Sequence, residues 1–135
     1  MKKNYKSISA ILLASCWISF SEFVRNEFLL KSYWIDHYQT LGLVFPSSPA
    51  NGAVWGIWAL VFAISIYIIS RKFTLIKTTL LAWIVGFVMM WLVIGNMGVL
   101  PLRILIFAVP SSLLETFIAC FIIAKISGQN ASKIG

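Results

Sequence analysis

Acid–base, metal and thiol chemistry in this 135-residue chain can rest on very few side chains: the acids Glu22, Glu27, Asp36 and Glu115, the single histidine His37, and Cys16 and Cys120. Glu115 stands apart. It lies in the run "SSLLETFIACFIIAK", ten residues before the next charge, Lys125, with Ser111 and Ser112 four and three residues ahead of it. On a helix that spacing puts both hydroxyls and the carboxyl on one face, as a polar seam for a proton, a cation or a small polar solute. A second group forms around Glu22 and Arg25, three residues apart, with Asn26 and Glu27 following directly. Asn96 and Arg103 fall at a similar depth on other segments and are expected to complete one polar cluster with them.

The remaining chemistry is thin. Asp36 and His37 in "WIDHYQ" would need further ligands to bind zinc, so no metal site and no cofactor are expected. Cys16 and Cys120 are not in a Cys-x-x-Cys pair, which argues against thiol redox catalysis. No nucleophile elbow, phosphate loop or paired-carboxylate spacing occurs. An enzyme acting on lipid headgroups through Asp36 and His37 at the membrane interface is the weakest reading and carries no catalytic residue of its own.

The elements that must position these residues follow from composition. With 60% hydrophobic and 11% charged residues, the chain reads as an all-α integral membrane protein of a single domain, residues 1–135. Crossing ~30 Å of hydrocarbon takes about 20 apolar residues in a helix, and four runs qualify. They lie at about 7–28, 53–70, 78–100 and 105–124, separated by a loop at 31–52 and followed by a short tail, 126–135. The runs show no alternating pattern, so helices are expected rather than membrane strands.

Basic residues are retained in the cytoplasm, so their distribution gives orientation. With the N-terminus inside, the inner face carries Lys2, Lys3, Lys6, Arg71, Lys72, Lys77, Lys125 and Lys133, and the outer face only Arg25, Lys31 and Arg103. The expectation is a four-helix bundle in a bacterial-type cytoplasmic (inner) membrane, N-in and C-in, with the loop 31–52 outside. The same distribution accounts for the net charge of +7 without a nucleic-acid partner, since no soluble basic face exists.

That loop, "KSYWIDHYQTLGLVFPSSPANG", reads as an interfacial connector. Tyr33, Trp34, Tyr38 and Trp55 are rings suited to headgroup level, and Asn51 is placed to cap the second helix. Near the N-terminus, Leu13-Ala14-Ser15-Cys16 resembles the lipobox of bacterial lipoproteins, which would imply cleavage before a lipidated Cys16. Against cleavage, the apolar run continues through Trp17, Ile18, Ser19 and Phe20 as a spanning helix should.

Counting ~1.5 Å per residue from the inner lysines puts Glu115 about 15 Å deep, near the midplane, and Arg25 about 28 Å up. On that count Arg25 would have to reach ~10 Å downward, and Glu115 has no cation within a turn. An unpaired acid in hydrocarbon is expected to carry a proton. Pro110 withholds an N–H from the Ile106 carbonyl, so a kink above Glu115 is expected. The leading functional expectation is a channel- or transporter-like bundle, assembled as a homo-oligomer, handling a proton, cation or small polar solute through Glu115. The alternative is a non-catalytic accessory protein, embedded in the lipid bilayer, whose loop 31–52 meets a membrane-protein partner.

Overall fold

A computed structural model describes residues 2–128, with side chains from residue 4 onward. The expected tail beyond residue 128, including Lys133, lies outside the described residues, as do the side chains of Lys2 and Lys3. The described chain is all-helical, and four helices are long and apolar enough to cross a membrane: Asn4–Leu29, Pro49–Ser70, Leu75–Asn96 and Leu102–Ile126.

The first of these is α1 (Lys2–Val24), which widens at its end into a π-helical turn, Arg25–Leu29, closed by Leu30 N–H donating to Arg25 O at 2.9 Å. It runs unbroken through Cys16, whose side chain is exposed on the helix surface. A short helix, α2 (Lys31–Thr40), occupies half of the segment expected to be an irregular connector. The second spanning helix, α3 (Pro49–Ser70), begins four residues earlier than expected. Pro49 stands at its first turn, where a missing N–H costs nothing and a fixed φ favours the helix, and Ser48 precedes it in extended conformation. Asn51 is therefore inside the first turn and not the cap; its side-chain oxygen accepts from Ser48 Oγ at 2.8 Å.

The third span is α4 (Leu75–Trp83), a second π-helical turn (Ile84–Val88) and α5 (Met89–Asn96). It starts after Thr74, which is extended, and ends before the expected 100 because Gly98, at φ +73°, reverses the chain. Gly98 N–H returns to Gly95 O at 3.0 Å and Val99 N–H to Ile94 O at 3.0 Å, the paired bonds of a glycine-terminated helix. The fourth span enters through a short 3-10 turn, Leu102–Ile104, and continues as α6 (Leu105–Ile126). Pro110 is accommodated inside α6 without breaking it. Ser111 Oγ donates to Phe107 O at 2.7 Å and Ser112 Oγ to Val109 O at 3.1 Å, supplying side-chain donors to the weakened turn.

Packing follows from small residues. Ala10 and Ala14 on α1, Ala59 and Ala63 on α3, Ala82 on α4 and Ala119 on α6 are all buried, and they let the helix backbones approach closely. Ile18, Phe62, Ile66, Phe87 and Ile123 fill the spaces between, while Leu, Ile, Val and Phe side chains elsewhere cover the bundle's outside. In lipid such an exterior needs no polar coat. The end of the bundle at which α1 begins and α6 ends is thus solidly packed. At the opposite end, here the loop face, a smaller cluster of Leu30, Leu100, Ile104 and Ala108 packs with Trp34 and Trp91. Between the two clusters lie the buried charges.

Candidate functional site

Glu22 and Arg25 from the end of α1 and Glu115 from the middle of α6 converge at one point. All three are buried, with 6%, 5% and 1% of their surface exposed, too little for solvent to screen their charges. Arg25 Nη2 donates to Glu22 Oε1, and Arg25 Nη1 donates to Glu115 Oε2 at 3.0 Å. Ser21 Oγ donates to the same Glu115 oxygen at 2.6 Å, and Trp17 Nε1 donates to the Glu115 backbone carbonyl at 3.0 Å. Asn26 Nδ2 donates to Glu22 Oε2 at 2.8 Å, and Asn26 Oδ1 accepts from Trp34 Nε1 at 3.3 Å. One guanidinium therefore bridges two carboxyl groups. Glu115 Oε1 has no hydrogen-bond partner although it is fully enclosed.

This geometry corrects the expectation that Glu115 has no cation within reach. Trp17 and Ser21 contact Glu115, so the acid is level with residues 17–21 of α1. Arg25 is then one helical turn away, about 6 Å, which a guanidinium spans easily. Depth counted from Lys6 and Lys125 fails because those two lysines do not mark the same level.

Local backbone makes the contact. The π-helical turn that begins at Arg25 departs from regular α-helical spacing where the guanidinium must turn inward. The second π-helical turn carries Phe87, whose ring lies 5.2 Å beneath the Arg25 guanidinium carbon. A buried cation over an aromatic face is worth about 2 kcal/mol. Gly86 in that turn has no room for a side chain: a Cβ there would sit 2.5 Å from Phe62 Cε2. Phe62 is stacked on Trp58 with ring centres 5.0 Å apart and meets Phe87 edge-on at 5.7 Å, so the ring is wedged.

Above the triad, toward the loop face, lies a cavity of about 590 Å³. Its polar side is Ser19, Glu22, Arg25 and Asn26, and its apolar walls include Trp34, Tyr38, Phe45, Trp55, Phe87 and Trp91. The α2 helix closes one side of it. His37 Nε2 hydrogen-bonds to Gly98 O at 2.8 Å, tying α2 to the turn after α5. Phe45 packs against Trp34 and Tyr38, with ring centres 6.2 Å and 5.3 Å away, and draws the loop over the cavity. Trp34, Tyr38 and Trp55, expected at headgroup level, line this cavity.

The other expected site residues separate. Glu27 pairs with Lys31 one turn on, in a partly exposed ion pair, although its side chain also borders the cavity. Asn96 and Arg103 are exposed at the loop face, whereas Glu22, Arg25 and Asn26 are joined by hydrogen bonds, so of the six residues expected in one polar cluster the structure brings these three together. Ser111 and Ser112 do not bond the Glu115 carboxylate: both hydroxyls serve carbonyls of their own helix, and Ser112 Oγ also accepts from Trp83 Nε1 at 2.9 Å. Asp36 is exposed on α2, and among the described residues no group of three His, Cys, Asp or Glu is placed to hold a metal. No protein-family model, curated protein or solved structure matches the chain.

Proposed function

We propose that the chain is a small multi-pass carrier or solute-binding protein of a cytoplasmic membrane, with its loop face outside, in which Glu22 and Glu115 form a proton-exchange site at the base of the cavity. The observation that carries this reading is the charge count. Two buried acids face one guanidinium. In a medium where an uncompensated charge costs several kcal/mol, the triad is neutral when one proton resides on the acid pair. A proton held only by that balance leaves when another positive charge arrives. The unpartnered Oε1 of Glu115 is where such a proton sits without disturbing any existing bond.

The test is flux in liposomes containing the purified protein, with a pH-sensitive dye inside, for the wild type and Glu115→Gln, alongside thermal stability in detergent. Glutamine keeps the acceptor for Ser21 and Arg25 and removes the proton site. Solute- or potential-driven proton movement in the wild type, lost in a stably folded Glu115→Gln, supports the reading; equal behaviour of both proteins contradicts it. One observation favours a second reading. The half of the bundle below Glu115 is filled by Ala10, Ala14, Ile18, Phe62, Ala63 and Ile66, a packed apolar core on the side away from the cavity. A protein that binds in the cavity without transporting, as an accessory or sensing component, would bind solute normally and show no flux.

A further inference from the structure

We infer that the cavity's ligand is an organic monocation with an aromatic or apolar body, and that it binds in exchange for the proton of the Glu22–Glu115 pair; this rests on the proton-exchange reading above. Three charged side chains border the cavity: Glu22, Arg25 and Glu27. The only cation among them is already committed. Arg25 is bonded to both buried acids and laid against Phe87, so an anionic ligand would have to displace a carboxylate from it. A cationic ligand needs no displacement of that kind. It meets Glu22 at the floor, and its arrival supplies the positive charge that the resident proton otherwise provides.

The walls fit the same chemistry. Trp34, Tyr38, Phe45, Trp55 and Trp91 present aromatic surfaces, which attract a desolvated cation through their electron-rich faces and shelter an apolar body. Arg25 over Phe87 shows this wall already holding one cation. At about 590 Å³ the space suits a molecule of drug size rather than a bare metal ion. The pair has no competing titratable neighbour on the facing helices. The span Pro49–Ser70 contains no Asp, Glu, Lys, Arg or His, and Leu75–Asn96 contains only Lys77, at the opposite end. On α6 the other groups are Cys120, buried beyond Glu115, and Lys125 at its far end; on α1 they are Cys16, exposed, and Lys2, Lys3, Tyr5 and Lys6 near its start. From the loop side the facing groups are Tyr38 and the Glu27–Lys31 pair.

The test is calorimetric titration of the purified full chain with benzyltrimethylammonium, which carries a permanent charge and no exchangeable proton. Benzyl alcohol and benzoate serve as neutral and anionic counterparts. Repeating the titration in buffers of different ionisation enthalpy counts protons. The expected result is binding of the cation alone, with close to one proton released per cation near neutral pH. Trp34→Leu, which removes a wall and its bond to Asn26 but neither acid, should weaken binding about tenfold. Glu22→Gln should abolish proton release, because Glu115 and Arg25 then neutralise each other. Cation binding without proton release, preference for benzoate or benzyl alcohol, or no binding of the cation would each overturn the inference. Proton flux that persists without cation binding would leave the proton-exchange reading standing and sink only the ligand class.

Discussion

Replacing Arg25 by glutamine is the perturbation whose size the geometry fixes best. The substitution removes the donors to Glu22 Oε1 and to Glu115 Oε2, and the cation over Phe87, in one step. What remains is a pair of carboxyl groups at 6% and 1% exposure with no charge to balance them. Breaking a buried ion pair by deleting one partner costs about 3–5 kcal/mol, mostly the penalty on the charge left behind. For a chain of this size that corresponds to a fall in melting temperature on the order of 10–20 °C. If the penalty arises from the stranded acids, converting them as well should relieve it. The uncharged triple variant, Arg25→Gln with Glu22→Gln and Glu115→Gln, should recover at least half of the loss. Thermal unfolding in detergent, followed by circular dichroism and by size-exclusion recovery, measures both. A loss below about 1 kcal/mol for Arg25→Gln would mean that water already screens the triad. A triple variant no more stable than the single one would mean that the charges are not what holds the site.

Other consequences of the packing can be checked by the same assay or by labelling. Gly86→Ala forces a methyl group against Phe62, wedged between Trp58 and Phe87, and should cost about 1–3 kcal/mol; a neutral result would show that the ring can move. Ala63→Leu should destabilise by a similar amount, about 1–3 kcal/mol, because Ala63 is fully buried in the alanine seam. Trp17→Phe removes only the indole donor to the Glu115 carbonyl and should cost about 1 kcal/mol, with flux retained. A maleimide should modify Cys16 in detergent and leave Cys120, at 1% exposure, unmodified until the protein unfolds; equal rates for the two thiols would contradict the α6 packing.

The four spans were legible because length and hydropathy alone identify helices that cross a bilayer, and the basic residues at their ends mark them clearly. Their limits shifted where local stereochemistry decided, at Pro49 and at Gly98. The α2 helix was less visible: "KSYWIDHYQT" has no capping residue, and only Trp34 and Tyr38, one turn apart, hint at a helix face. In the site, the grouping of Glu22, Arg25 and Asn26 could be read from residue type and spacing, and so could the singular position of Glu115. Their meeting could not. It depends on the relative level of α1 and α6, which terminal lysines report only to within a turn or so, and on a π-helical turn at Arg25 that no residue in "RNEFL" announces. The aromatic cavity was hidden for a related reason. Trp34 and Tyr38 have the same chemistry whether they face headgroups or another ring, and nothing in their residue types announces that Phe45 folds back onto them.

The central claim, one proton shared by two acids around one guanidinium, is most directly tested by infrared spectroscopy of the carboxyl region near neutral pH. The wild type should show one buried protonated-carboxyl band. Glu115→Gln and Glu22→Gln should each lose it, because either change leaves a single acid neutralised by Arg25. A band that survives in either variant, or that is missing from the wild type, would contradict the charge count.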